Sequence, residues 1–267
     1  MAILTVSREF GSGGSEIGRR VADALKYECV DREIILNDIR AAGEKWEEWS
    51  EGLDEHCPTI WEKYDWSFRG FGALLQSAVL SRAANDRAVI MGMGANFLLN
   101  GIPHSLRIHV VAPLEHRIVA VMGRDSLTRA TAEWMIEKKD SERSCFIHSL
   151  YRRHWDNPEE YDRVIDTGTR SIEAVASWIQ DILAETDRFN TDDAKKLLLM
   201  RAVAAKIKAG LLTNPSLFVP LLDVEYDGKD IVLRGVLHSP KERKIIEDAA
   251  GRLAAGQSLR SELHYRI

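Results

Sequence analysis

Over the first two thirds of the chain, short β-branched runs alternate with longer helical stretches, and this alternation constrains the fold more than any other feature. The runs "AILTV", "ECV", "RAVIMG", "LRIHVVA" and "RVID" are too short for helices, and the segments between them space their apolar residues as helices do. Strands joined by helical crossovers make a parallel sheet with helices on its faces, so the fold class is α/β. Residues 15–26 carry Ile17, Val21 and Leu25 four apart, which predicts a helix with one buried stripe. "DREIILNDIRAAG" predicts a second, capped by Asp31 and stopped at Gly43. Further helices are expected over 69–84, from Pro113 to Asp125, within 127–155 and over 169–185.

The first strand leads directly into "SREFGSGGSEIGRR", residues 7–20. A glycine-rich turn between strand and helix presents backbone N–H groups at the positive end of the helix dipole, which suits phosphate. Gly11, Ser12, Gly13 and Gly14 make the turn, and Ser15 sits where a hydroxyl can ligate Mg²⁺. Against G-x-x-x-x-G-K-[ST], Arg8 stands at the first glycine and Gly14 at the lysine. That lysine ordinarily reaches the β- and γ-phosphates and offsets charge during transfer, so another cation must substitute. Arg8 and Arg19, one helical turn beyond Ser15, are the local candidates, and both also read as ordinary surface arginines.

The formal charge of -5 argues against a chain whose main role is to coat nucleic acid. No apolar run approaches the ~20 residues that span a bilayer, and the strand at the N-terminus lacks the prelude of a signal peptide. Cys29, Cys57 and Cys145 are odd in number and widely spaced, which suggests neither a disulfide framework nor a zinc site and fits a reducing cytoplasm. The neighbours His56 and Cys57 read as incidental. Residues 44–68 are dense in aromatics, either a flap or partner surface or, as buried rings usually are, an insertion packed on the core.

Periodicity stops near "ETDRFNTDD", which places a linker at 185–192 between a domain over 1–184 and a smaller α+β domain over 193–267. The latter reads as a helix, a hairpin turning at Asp227-Gly228, a helix from Pro240 to Ala255 and a closing strand.

"ILTVSREFGSGGSEIGRRVADAL", "VDREII", "AVIMGMGANFLL", "IHVVAPLEHRI", "KKDSER" and "YDRVIDTGTRSIE", in that order, resemble the cytidylate kinase-like family of P-loop proteins over residues 1–184. In that family the lysine-free loop is usual. The resemblance implies a P-loop nucleoside monophosphate kinase core that uses ATP and Mg²⁺ to phosphorylate a nucleotide such as CMP or dCMP. It implies that residues Gly11 to Ser15 hold the donor phosphates with Mg²⁺ near Ser15, and that Asp31 and Arg32 lie at the acceptor side. "KKDSER" resembles the lid, mapping a carboxylate and an arginine to Asp140 and Arg143, with Arg124, Arg152 and Arg153 nearby. Asp162 and Asp166 match a strand-end carboxylate near the acceptor base. Met93 replaces an arginine common in relatives, and Ser15 stands where relatives often have another. The tail resembles a BON domain, which implies a binding or regulatory attachment for an unknown ligand or protein. A nucleotide-responsive sensor that has lost turnover and signals through the tail is the competing reading.

Overall fold

The computed structural model describes residues 1–43, 46, 49, 57–59, 61, 62, 65–217, 219 and 221–266. Its larger sheet is built from β1 (Ile3–Arg8), β2 (Glu28–Val30), β3 (Ala88–Met91), β4 (Ser105–Val111) and β5 (Arg163–Asp166), in the order β2-β3-β1-β4-β5. Every pairing in it is parallel. The five β-branched runs are these strands; β1, β3 and β4 are almost wholly buried because helices cover both faces, which is why they read as continuous apolar runs.

Helices α1 (Gly14–Leu25), α2 (Arg32–Arg40), α3 (Trp66–Ala83), α4 (Ala95–Leu98), α5 (Leu114–Asp125), α6 (Arg129–Tyr151) and α7 (Ile172–Thr186) connect or flank the strands. Ile17 and Val21 of α1 pack with Leu4 and Val6 of β1 and with Val175 and Ile179 of α7 on one face of the sheet. Phe71, Leu75 and Val79 of α3 pack with Ile3 and Ile90 on the other. Asp31 caps α2, its carboxylate accepting from the N–H groups of Glu33 and Ile34 at 3.1 and 3.3 Å. Strand order reverses at β1, with β3 on one side and β4 on the other, so the crevice beyond its carboxyl end lies at the switch point of the sheet.

A short 3₁₀ turn, Asp187–Phe189, joins α7 to α8 (Asp192–Leu212). Beyond it, β6 (Leu222–Tyr226), β7 (Ile231–Leu237), α9 (Pro240–Ala254) and β8 (Leu259–Tyr265) form a second unit. Its β6–β7 hairpin is antiparallel and turns at Asp227-Gly228, and β8 returns parallel to β7. Leu198, Ala202 and Ala205 of α8 are buried with Phe71 and Leu75 of α3, while Ala204, Ile207 and Leu211 are buried with Val224, Leu233 and Ile246. One helix thus seats the tail on the α/β core through two opposite faces.

Of the aromatic stretch 44–68, Trp46 is buried over Gly70 and Trp49 lies against Phe68 and Phe71, with ring centroids 5.5 and 6.3 Å away, whereas Trp61 is exposed. Tyr64 lies outside the described residues. Cys57 and Cys145 are joined by a disulfide with their Cα atoms 5.2 Å apart. This corrects the expectation of unpaired thiols and removes the cysteines as an argument for a reducing compartment. The partners are 88 residues apart in sequence and meet only because residue 57 reaches α6, which spacing along the chain does not reveal. Cys29 is free, and burial, then the nearby Asp31 carboxylate, push its thiol up from its ordinary value. His56 lies outside the described residues. Among the described residues, no helix is long and apolar enough to cross a membrane.

Candidate active site

The loop from Arg8 to Ser15 joins the carboxyl end of β1 to α1, and its shape depends on its glycines. Gly11 and Gly13 take left-handed φ of +84° and +82°, and a Cβ at Gly11 would meet Val121 at 2.9 Å. Gly13 caps α1 with no side-chain hydrogen bond, and Gly13, Gly14 and Ser15 at the start of that helix line a cavity of about 570 Å³. Arg8, Arg19, Arg124 and Arg143 line that cavity, and among the described residues two carboxylates, Glu9 and Glu16, line it with them. A glycine cradle, an uncapped helix start and four arginines fit a polyphosphate.

A second cavity, about 370 Å³, is lined by Asp31, Arg32, Glu33, Leu36 and Met91 together with Arg8, Ser15 and Arg19. The two cavities therefore meet at the same three side chains. Arg8 donates from Nε to Ser15 Oγ at 3.2 Å, holding a cation and a hydroxyl together at that junction. A hydroxyl oxygen there fits Mg²⁺, a hard cation that commonly takes its remaining ligands from phosphate and water. Among the described residues, no group of three or more His, Cys, Asp or Glu side chains is arranged to hold a metal.

Asp140 and Arg143 of α6 reach the loop's backbone. Asp140 accepts from the N–H of Phe10 at 2.8 Å, and Arg143 donates to the carbonyl of Arg8 at 2.8 Å while lining the first cavity. Their own separation is 3.8 Å. Arg117 of α5 closes the network, paired with Asp140, donating to the Phe10 carbonyl at 3.4 Å and lying 3.5 Å from Glu9. Glu9 in turn accepts from the N–H of Ala112 at 3.0 Å, and Thr167 donates to the Ser12 carbonyl at 2.8 Å. Arg117, Glu9 and Thr167 were missed by sequence reasoning. Arg117 sits within the quoted "APLEHRI", but nothing local marks it as the partner of a carboxylate 23 residues on.

The remaining expected site residues divide. Arg124 lies over the Phe10 ring, 4.9 Å from its centroid, on the wall of the first cavity and paired with Asp125. Asp166 ends β5 beside Thr167 and accepts from the N–H of Gly168 at 2.7 Å. Asp162 is not brought to the loop: it precedes β5 at the amino end of that edge strand, the end away from Asp166, and holds Arg107 through both carboxylate oxygens. Arg153 is exposed and paired with Glu160, and Arg152 ends α6 on a different cavity, next to α8. Met93 is fully buried in the core, and its carbonyl accepts from the Tyr151 hydroxyl at 2.7 Å.

His109 of β4 lies behind Arg143, buried and stacked on Tyr161 at 4.7 Å. Burial first, then the positive charge of Arg143, push it down to about 4, against an opposing pull from Asp156. Its folded value lies below its unfolded one, so between pH 6.5 and 4 the unfolded chain binds the extra proton and stability falls as pH falls through that window. The loss attributable to His109 is expected to reach on the order of 3 kcal/mol by pH 4. Urea unfolding of the wild type and His109→Gln across this range checks it: the difference between the two should narrow as pH falls, and a constant difference would contradict the assignment.

Residues 3–169 match the family model described as the cytidylate kinase-like family, well over half of the chain. The chain belongs to that family. A cytidylate kinase from Methanocaldococcus jannaschii is 25% identical over 185 residues, covering 68% of this chain and 97% of the relative. A uronate isomerase from Corynebacterium glutamicum is 31% identical over 104 residues, 39% of this chain, and the chain spans only 19% of that protein's length. The crystal structure of an uncharacterized protein from Eubacterium ventriosum superimposes with a TM-score of 0.55 at 20% identity, covering 69% of this chain and 98% of that one, which shows a shared fold.

Proposed function

We propose that this protein is an ATP-dependent phosphotransferase acting on a nucleoside monophosphate of the CMP or dCMP type. The observation that carries the reading is the junction at Arg8, Ser15 and Arg19, shared by the glycine cradle and the neighbouring cavity bearing Asp31 and Arg32. A donor phosphate on the loop and an acceptor phosphate in the second cavity would meet there, as in-line transfer requires. Arg8 takes the part of the missing lysine, and Arg143, fixed to the Arg8 carbonyl, faces the transferring group from α6. Asp140 acts through others: its bonds to Phe10 and Arg117 hold α5 and α6 against the loop. Asp31 caps α2 and sets Arg32 on the acceptor cavity. Mg²⁺ held at Ser15, when bound, would neutralise part of the polyphosphate charge. Arg124 and Phe10 form the outer wall of the donor cavity.

The tail over 193–267 is read as a BON-like binding or regulatory unit. Its α8 shares a buried core with α3, so a shift in one unit bears on the other. That shared core favours, as a second reading, a nucleotide-responsive protein whose loop binds ATP without turnover.

ADP release from Mg-ATP, measured against a panel of nucleoside monophosphates, tests the assignment. CMP or dCMP is expected to raise release at least tenfold over ATP alone. Equal release with and without every monophosphate would remove the nucleotide kinase reading.

A further inference from the structure

A cavity of about 240 Å³ lies where the tail meets the α/β core, away from the loop, bounded by α3, the end of α6 and α8. Gly72 lets α3 and α6 approach closely there, since a Cβ at that position would meet Leu150 at 2.8 Å. Arg69, Arg152 and Lys208 all line this cavity, with Gln76 and Ser149, and among the described residues no carboxylate lines it. A neighbouring cavity of about 530 Å³ shares Arg69 and Lys208 and is walled by Leu221, Leu222 and Val236 on one part and by Asp223, Arg234 and Glu262 on another. Asp223, on that second side, pairs with Lys208 at 2.7 Å and also acts on Arg69, whose guanidinium donates to the Leu222 carbonyl at 3.5 Å, so two of the three cations are already partly balanced.

We infer that this junction binds a small phosphorylated metabolite, its phosphoryl group between Arg69, Arg152 and Lys208 and its uncharged body along Leu221 and Val236. Two arginines and a lysine lining one space suit the several oxygens of a phosphoryl group better than a single carboxylate does. Burial pulls the Arg69 guanidinium down from its ordinary value against a smaller opposing pull from Asp223, and a bound anion would offset the remaining cost. Leu221 is 66% exposed and would be covered by the body of such a ligand. Ser149, Leu150 and Arg152 close α6, the helix whose Asp140 and Arg143 touch the loop, so occupancy at the junction bears on that same helix. The site stands on its own lining and does not depend on which acceptor the loop serves.

Calorimetric titration of the full chain with pyrophosphate tests it, because the loop and the junction then report as two sites. The wild type is expected to bind two equivalents per chain. Arg69→Gln and Lys208→Gln are each expected to weaken one site at least tenfold and leave the other within twofold. Should Arg69→Gln fail to fold, Lys208→Gln decides, since its side chain is one quarter exposed. A single site in the wild type, or two unaltered sites in the folded variants, would overturn the proposal. Tighter binding of malonate than of pyrophosphate at the site these variants weaken would overturn the phosphoryl class.

Discussion

Gly14→Lys, which puts a lysine back at its usual place in a phosphate-binding loop, is expected to lower Mg-ATP affinity at least tenfold rather than raise it. A Cβ at Gly14 would stand 2.5 Å from the Cβ of Arg8 and 3.0 Å from the Cβ of Val110. Both neighbours belong to central strands of the sheet, held by the β1–β4 register, and cannot give way as the end of a flexible side chain would. Forcing extra atoms into such a contact costs about 1–3 kcal/mol and displaces the backbone whose N–H groups form the cradle. The side chain of Arg8 occupies the ground a lysine stem needs, so the lysine and Arg8 are alternatives rather than additive. Calorimetric titration with Mg-ATP, beside a thermal melt, checks this; a variant that bound ATP more tightly than wild type would show that the loop lacks a cation after all.

Arg143→Ala is expected to lower turnover with the best nucleotide acceptor by a factor on the order of 10²–10³, the usual scale for removing one preorganised donor from a developing charge. Arg143 is 5% exposed, bonded to the Arg8 carbonyl, and backed by Trp155, whose ring centroid lies 5.5 Å from its guanidinium carbon. Arg143→Lys keeps the charge but loses the planar fork, so it should recover only part of the rate. Steady-state kinetics on both variants, with melts to confirm folding, give the comparison. Turnover within threefold of wild type in a folded Arg143→Ala would assign that side chain to packing alone.

The strands and helices were legible because each rests on local chemistry. β-branched runs mark β1 to β5, Asp31 is a cap readable from its position before "REII", and Asp227-Gly228 announces the β6–β7 turn. The loop was legible for the same reason, being one strand, one turn and one helix in sequence. What escaped reading depends on pairs far apart along the chain. Asp140 meets the Phe10 N–H across 130 residues, and Asp162 is held by Arg107 across 55, which ties it to the sheet edge. Arg152 follows α6 by one residue, and the left-handed turn there leaves it on the junction with α8 instead of the loop. The Cys57–Cys145 disulfide likewise needs the fold before it can be seen.

Transfer of label from γ-labelled Mg-ATP to CMP, followed by separating the nucleotides, tests most directly whether the lysine-free loop and its neighbouring cavity work as one site. Label is expected in CDP, dependent on both Mg²⁺ and CMP. Bound ATP that passes no label to CMP or to any other monophosphate would contradict the account and leave the nucleotide-responsive reading in its place.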